Sequence, residues 1–176
     1  MARRVETLAN LAIITVCVLI ATQLVTGALH RTPSPSAPPA RVTYQPGERL
    51  PTFPAVDFTR ADQTLLLVVR DGCHYCEASM PFYRTLTEAV RGNEQAVQLA
   101  AVTPGAPDAG RQYLQRYGVS VALVSQSSLN QLKVPGTPTL ILADKNGIVS
   151  QVWVGQLNES DQSAVLKALR RQKGTV

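Results

Sequence analysis

Two thiols separated by two residues, Cys73 and Cys76, are the side chains of this chain best suited to covalent chemistry. They lie in Asp71-Gly72-Cys73-His74-Tyr75-Cys76, directly after the apolar run Leu65-Leu66-Leu67-Val68-Val69 and at the start of a stretch with helical spacing. A thiol at a helix N-terminus faces unpaired backbone N–H groups and the positive end of the helix dipole, and both favour its thiolate. A second thiol one turn further on is within reach of the first, so the pair can cycle between dithiol and disulfide. In that reading Cys73 is the nucleophile. It attacks a disulfide and forms a mixed disulfide, which Cys76 resolves by attacking Cys73 in turn.

The residues between the cysteines are placed to tune this chemistry. A protonated His74 adds positive charge beside the thiolate, supports the reduced pair and makes it more oxidising. The alternative is an exposed neutral imidazole with little effect. Tyr75 reads as a packing and contact surface rather than a proton donor.

The elements that must hold this pair follow from hydrophobic spacing. Leu65–Arg70 is a continuous apolar run suited to a strand buried on both faces. Cys76, Met80, Tyr83, Leu86 and Val90 carry a helical period over 73–90, with Pro81 expected to kink it. Val97–Val102 predicts a second buried strand and Ala109–Tyr117 a helix closed by Gly118. Val119–Val124 predicts a short strand, and Ser127–Leu132 one or two helical turns. Thr139–Ala143 and Ile148–Val154 flank Asp144-Lys145-Asn146-Gly147, a hairpin signal. A last helix begins near Ser160, capped by Asn158 or Ser160, with Val165, Leu166 and Leu169 on one face. Upstream, Val56 and Phe58 predict a short edge strand. Strands alternating with helices argue for an α/β fold around a mixed sheet.

The chain has 176 residues, 45% hydrophobic and 16% charged, enough for one domain with a core plus an appendage. The net charge of +5 comes from scattered Lys and Arg without a dense basic tract, so nucleic acid is not an expected partner. Residues 1–30 read as a membrane anchor. Leu8–Leu29 is uncharged and about the ~20 residues needed to cross a bilayer core. Arg3 and Arg4 precede it, which predicts a cytoplasmic N-terminus and an extracytoplasmic remainder. A cleaved signal peptide is the competing reading, with Thr26-Gly27-Ala28 as its cleavage site, but the apolar stretch is long for one. Cys17 reads as a small apolar filler of this span. Residues 31–42 carry Pro33, Pro35, Pro38 and Pro39 among Ser and Ala and read as an extended stalk. The soluble domain is then 43–176.

These features together resemble the thioredoxin-like superfamily and, within it, membrane-anchored redoxins of the TlpA and ResA type. The resemblance rests on Cys73-His74-Tyr75-Cys76 at a strand-to-helix junction and on Pro81, five residues past Cys76. It rests also on Val134-Pro135-Gly136-Thr137-Pro138-Thr139, which is similar to the family's cis-proline loop. The leader Pro46-Gly47-Glu48-Arg49-Leu50-Pro51-Thr52-Phe53, and Gly147 and Gly155 in the final hairpin, complete it. It implies a thioredoxin-like α/β fold, a redox disulfide between Cys73 and Cys76, and a cis Pro138. It also implies that the Thr137 backbone faces a substrate strand. The implied activity is an extracytoplasmic, periplasmic-side protein thiol–disulfide reductase without cofactor or metal. Its substrates would be exported thiols such as apo-cytochrome c, with a membrane reductase as donor.

The chain also departs from the family. Thioredoxin carries a buried carboxylate six residues before its first cysteine, and Leu67 stands there in this chain. Asp71, Glu77 or a bound water are the remaining candidates to take the proton from the resolving thiol. Three other readings compete. A structural zinc site needs about four ligands, and beyond the apolar span the chain offers Cys73, Cys76, His74 and His30. A Sco-like copper metallochaperone wants a wider cysteine spacing and a distal histidine. A peroxiredoxin wants a threonine where Arg70 stands.

Overall fold

The computed structural model describes residues 43–170. The expected anchor, its span over 8–29 and the stalk over 31–42 lie outside the described residues, as do 171–176. Among the described residues no helix is long and apolar enough to cross a membrane.

Five strands form one sheet: β1 (Gln63–Val68), β2 (Val97–Thr103), β3 (Leu123–Gln126), β4 (Thr139–Asp144) and β5 (Val149–Val154). Their spatial order is β3-β2-β1-β4-β5. The β1–β2 and β2–β3 pairs are parallel, and the β1–β4 and β4–β5 pairs are antiparallel. The mixed sheet is therefore as the element order implied. Three helices join it: α1 (His74–Val90), α2 (Pro107–Arg116) and α3 (Glu159–Arg170).

β1 is central and buried on both faces, which is why its sequence is a run of leucines rather than an alternation. Leu65, Leu67 and Val69 point to one core, and Leu66 and Val68 to the other. All three helices serve the first core: Met80, Tyr83 and Leu86 from α1, Tyr113 and Leu114 from α2, Val165 and Leu169 from α3. The reason is topological. The chain steps from β1 to β2 to β3 in one direction, and right-handed crossovers then put α1 and α2 on the same face. Among the described residues the second face is covered without a helix, by Tyr44, Leu50, Phe53 and Val56 of the leader and by Leu132 and Val134.

Other boundaries move for local reasons. The strand expected at Val119–Val124 begins only at Leu123. Gly118 (φ +73°) closes α2, with its N–H on the Gln115 carbonyl and the Val119 N–H on the Leu114 carbonyl. Val119 and Val121 are thus spent on the cap and on core filling. Ser127–Leu132 forms hydrogen-bonded turns rather than a helix. In place of the edge strand expected at Val56 and Phe58, Val56 bridges back to Phe53, and Phe58–Arg60 is a 3-10 turn capped by Asp57. Asn158 caps α3, its Oδ1 accepting from the Asp161 N–H at 2.9 Å. The Asp144–Gly147 hairpin turn forms as read, with Asp144 Oδ1 accepting from the Asn146 and Ile148 N–H groups.

Candidate functional site

The strand register assembles the site. Val68, at the end of β1, pairs with Thr139, at the start of β4. The loops leaving these two residues must therefore lie side by side: 69–73 leads into α1, and 134–138 leads into β4. Gly72 reverses the first loop at φ +70°, a conformation open to glycine at little cost, and its N–H donates to Asp71 Oδ1 at 2.9 Å. In the second loop the Thr137–Pro138 peptide is cis, and the Pro138 carbonyl accepts from the Gly155 N–H at 2.8 Å.

Cys73 is the N-cap of α1, in extended conformation (φ −97°, ψ 108°). Its sulfur accepts from the Cys76 N–H at 3.3 Å, taking the place a cap oxygen usually fills. The Thr137 hydroxyl also donates to it at 3.4 Å, and in the thiol form Cys73 donates to the Thr137 carbonyl at 3.4 Å. Both cysteines are free thiols here. Cys73 is 6% exposed and Cys76 is fully buried.

This geometry splits their acidities. Partial burial opposes ionisation of Cys73. Hydrogen bonds from the Cys76 thiol, the Thr137 hydroxyl and the Cys76 N–H, with the Arg70 charge, outweigh it and hold the Cys73 thiol below its ordinary value. Cys76 moves the other way. Burial first, and then its role as donor to the Cys73 sulfur, push it up to about 12. One sulfur is thus prepared to attack and the other to wait protonated beneath it.

The structure brings together Cys73, Cys76, Thr137 and Pro138. His74 and Tyr75 form the first residues of α1 and are exposed, their rings edge-to-face at 5.6 Å, with Tyr75 60% exposed. Asp71 has another partner. The Asp71 carboxylate pairs with Arg116 at 2.9 Å, and Glu77 lies half-buried in the first turn of α1. Among the described residues no group of three or more His, Cys, Asp or Glu could hold a metal. Sequence reasoning missed Arg70, whose charge acts on Cys73, and the Tyr83 and Tyr113 rings buried in the same core cluster as both thiols. Arg70 was legible only as a basic residue closing an apolar run. Tyr113 looked like any apolar-face position of a helix.

A central strand leading into a Cys-x-x-Cys helix N-terminus, beside a proline loop that opens the antiparallel half of a mixed sheet, defines the thioredoxin-like fold. No family model matches the chain. Over 102 residues it is 29% identical to the thiol-disulfide oxidoreductase ResA of Geobacillus kaustophilus (strain HTA426), a match covering 56% of this chain and 58% of that protein. The chain thus spans less than two thirds of that relative's length. Among solved structures, a Chlorobium tepidum protein assigned as the thiol:disulfide interchange protein DsbE superposes with a TM-score of 0.55 at 22% identity, over 72% of this chain and 99% of that one. A thiol-disulfide isomerase from Corynebacterium glutamicum gives 0.53 at 18% identity, over 76% and 97%. At these identities the structural likeness speaks to fold. The chain is therefore similar in sequence to ResA and thioredoxin-like in architecture.

Proposed function

We propose that this chain is a protein thiol–disulfide oxidoreductase, a ResA/TlpA-like disulfide reductase acting through a mixed disulfide. In this reading Leu8–Leu29 anchors it in a membrane, 31–42 is its stalk, and the domain from 43 onward lies on the extracytoplasmic, periplasmic side. Its substrates are exported protein thiols and disulfides, apo-cytochrome c among them, and a membrane redox partner keeps it reduced. The observation that carries the reading is the asymmetry of the pair: a low-lying Cys73 thiol at the α1 N-cap above a buried Cys76 raised to about 12.

The chemistry balances as follows. The Cys73 thiolate attacks a substrate disulfide, forming the Cys73–substrate S–S bond and expelling one substrate thiolate. Cys76 gives up its proton and attacks Cys73. The Cys73–Cys76 bond forms, the Cys73–substrate bond breaks, and the second substrate sulfur leaves carrying a proton. Substrate gains two electrons, and the cysteine pair loses them. The apolar surface of Tyr75 and Val154, the two large hydrophobic side chains left exposed among the described residues, suits an extended peptide beside the Thr137 backbone.

Insulin reduction with dithiothreitol as donor tests the assignment. Cys73→Ser should abolish catalysis, and Cys76→Ser should accumulate a mixed disulfide on Cys73. Wild-type turnover by Cys73→Ser would show that the nucleophile lies elsewhere.

A further inference from the structure

The turn that leaves β1 sets a charge beside the nucleophile that no carboxylate answers. Val69 enters the first core, and Arg70, the next residue, is exposed. Arg70 stands three residues before Cys73, so their Cα atoms are at most ~11 Å apart. The β1–β4 ladder closes with Val68 opposite Thr139, so Arg70 and Thr137, each two residues beyond that pair, leave the sheet side by side. Thr137 in turn meets the Cys73 sulfur with its hydroxyl and with its carbonyl, both at 3.4 Å. Arg70 is therefore part of the rim around that sulfur.

The acid best placed to neutralise Arg70 is its neighbour Asp71, and both oxygens of Asp71 are taken. Oδ1 accepts from the Gly72 N–H and Oδ2 from Arg116, each at 2.9 Å. Asp71 and Arg116 thus cancel one another. None of the three ion pairs formed among the described residues includes Arg70. The rest of the rim is poor in charge. Residues 134–138 and 152–158 contain no charged side chain, and the large apolar side chains exposed near the site are Tyr75 and Val154. His74 is exposed beside Tyr75 and adds charge of the same sign as Arg70 when protonated. Glu77, half-buried in the first turn of α1, is the opposing charge on this stretch. An exposed guanidinium with no acid of its own offers a planar set of donors to a visiting carboxylate.

We propose that Arg70 determines specificity: it favours disulfides whose cysteine is flanked by carboxylates, so the substrate class of this site is the acidic peptide segment. The proposal rests on the thiol–disulfide exchange put forward above and names which substrates that exchange prefers. Arg70 also supports the Cys73 thiolate. That support is the same for every substrate, whereas attraction of the flank depends on the charge the substrate carries, so the two effects separate.

Two peptide disulfides are compared, alike except that aspartates flank the cysteine in one and asparagines in the other. Single-turnover reduction by the prereduced protein is followed by chromatography, and each rate is divided by that of the same peptide with dithiothreitol. Wild type should favour the aspartate peptide roughly three- to fivefold, what one unit charge about 6 Å away contributes across a largely aqueous gap. In 1 M salt, where the screening length is ~3 Å, the preference should fall towards one. Arg70→Gln should slow both peptides and bring their ratio to one, and Arg70→Lys should retain most of the preference. A role confined to the acidity of Cys73 would slow both peptides alike and keep the ratio. A wild-type ratio of one, or a ratio that Arg70→Gln does not change, overturns the proposal. A second measurement needs no exchange. Iodoacetate is an anion and iodoacetamide is neutral, and their rate ratio at Cys73 should fall roughly three- to fivefold in Arg70→Gln. Equal ratios in variant and wild type would overturn the proposal. If wild type reduced neither peptide, the exchange reading itself would fail, while the alkylation ratio would still decide whether Arg70 favours anions at Cys73.

Discussion

Brief treatment of the reduced protein with iodoacetamide at pH 7 should modify Cys73 at least roughly 30-fold faster than Cys76, and the size of that gap follows from the two sulfur environments. With Cys76 raised to about 12, its thiolate fraction at pH 7 is about 10⁻⁵. Cys73 lies below an ordinary thiol value of ~9, so its thiolate fraction is at least about 1%. Thiolate populations alone thus favour Cys73 by roughly a thousandfold. A more basic thiolate is more nucleophilic, with a Brønsted slope of about 0.4–0.5, and over ~3 units this returns roughly 15–30-fold to Cys76. About 30-fold remains before access is counted, and full burial of Cys76 widens it further. Peptide mass spectrometry of samples quenched at short times reads both sites, and the same reaction in denaturant should erase the difference. Equal native rates, or Cys76 reacting first, would refute the account of how the N-cap and Thr137 divide the two acidities.

The remaining predictions concern charge and pH. His74→Ala should lower the reduction potential, because the reduced pair loses electrostatic support. An unchanged or raised value in a redox titration would remove His74 from the tuning groups. The reduced protein should lose stability relative to the oxidised protein as pH rises from ~9 towards 12. Cys76 has a raised folded-state value, so its contribution is complete below the ordinary thiol value and is lost as pH climbs to the folded one, at up to about 1.4 kcal/mol per pH unit. Cys73 has the opposite sign: its contribution is present above the ordinary value and is lost on acidification through the lowered one. Burial of Tyr83 and Tyr113 is common to both redox forms, so the difference in urea-unfolding free energies leaves the thiols together with the effect of their charge on these two rings. Parallel pH profiles for the two forms would contradict the buried, raised Cys76.

What the sequence made legible was local. Leu65–Val69 announced a strand buried on both faces because burial on both faces leaves no polar alternation to mask it. The Cys76–Val90 period marked α1, and Asp144–Gly147 marked its turn, because short-range hydrogen bonding and spacing dictate both. What stayed hidden depends on distant partners. The Asp71–Arg116 pair spans 45 residues, and nothing near Asp71 announces it. Val119 and Val121 look like strand residues, yet they serve the α2 cap and core, because only Leu123 onward finds register with β2, opposite Ala100. The leader reads as extended chain with a short edge strand at Val56 and Phe58. Instead it pairs at Arg49 with Ile148 and buries Leu50, Phe53 and Val56 on the sheet face that none of the described helices covers. At the candidate site the cysteines and the Thr137–Pro138 loop were legible from their motifs.

The most direct test is equilibration of the protein with glutathione buffers of graded poise, followed by acid quench and intact-mass analysis. Cys73 and Cys76 should interconvert as one two-electron couple, dithiol to internal disulfide, with about 30 mV separating each tenfold change in ratio. As a reductase, the protein should have a midpoint near ~−270 mV rather than ~−120 mV. A protein whose thiols stay reduced at every poise, or that only accumulates glutathione on Cys73 without closing the internal bond, would contradict a reversible Cys73–Cys76 pair.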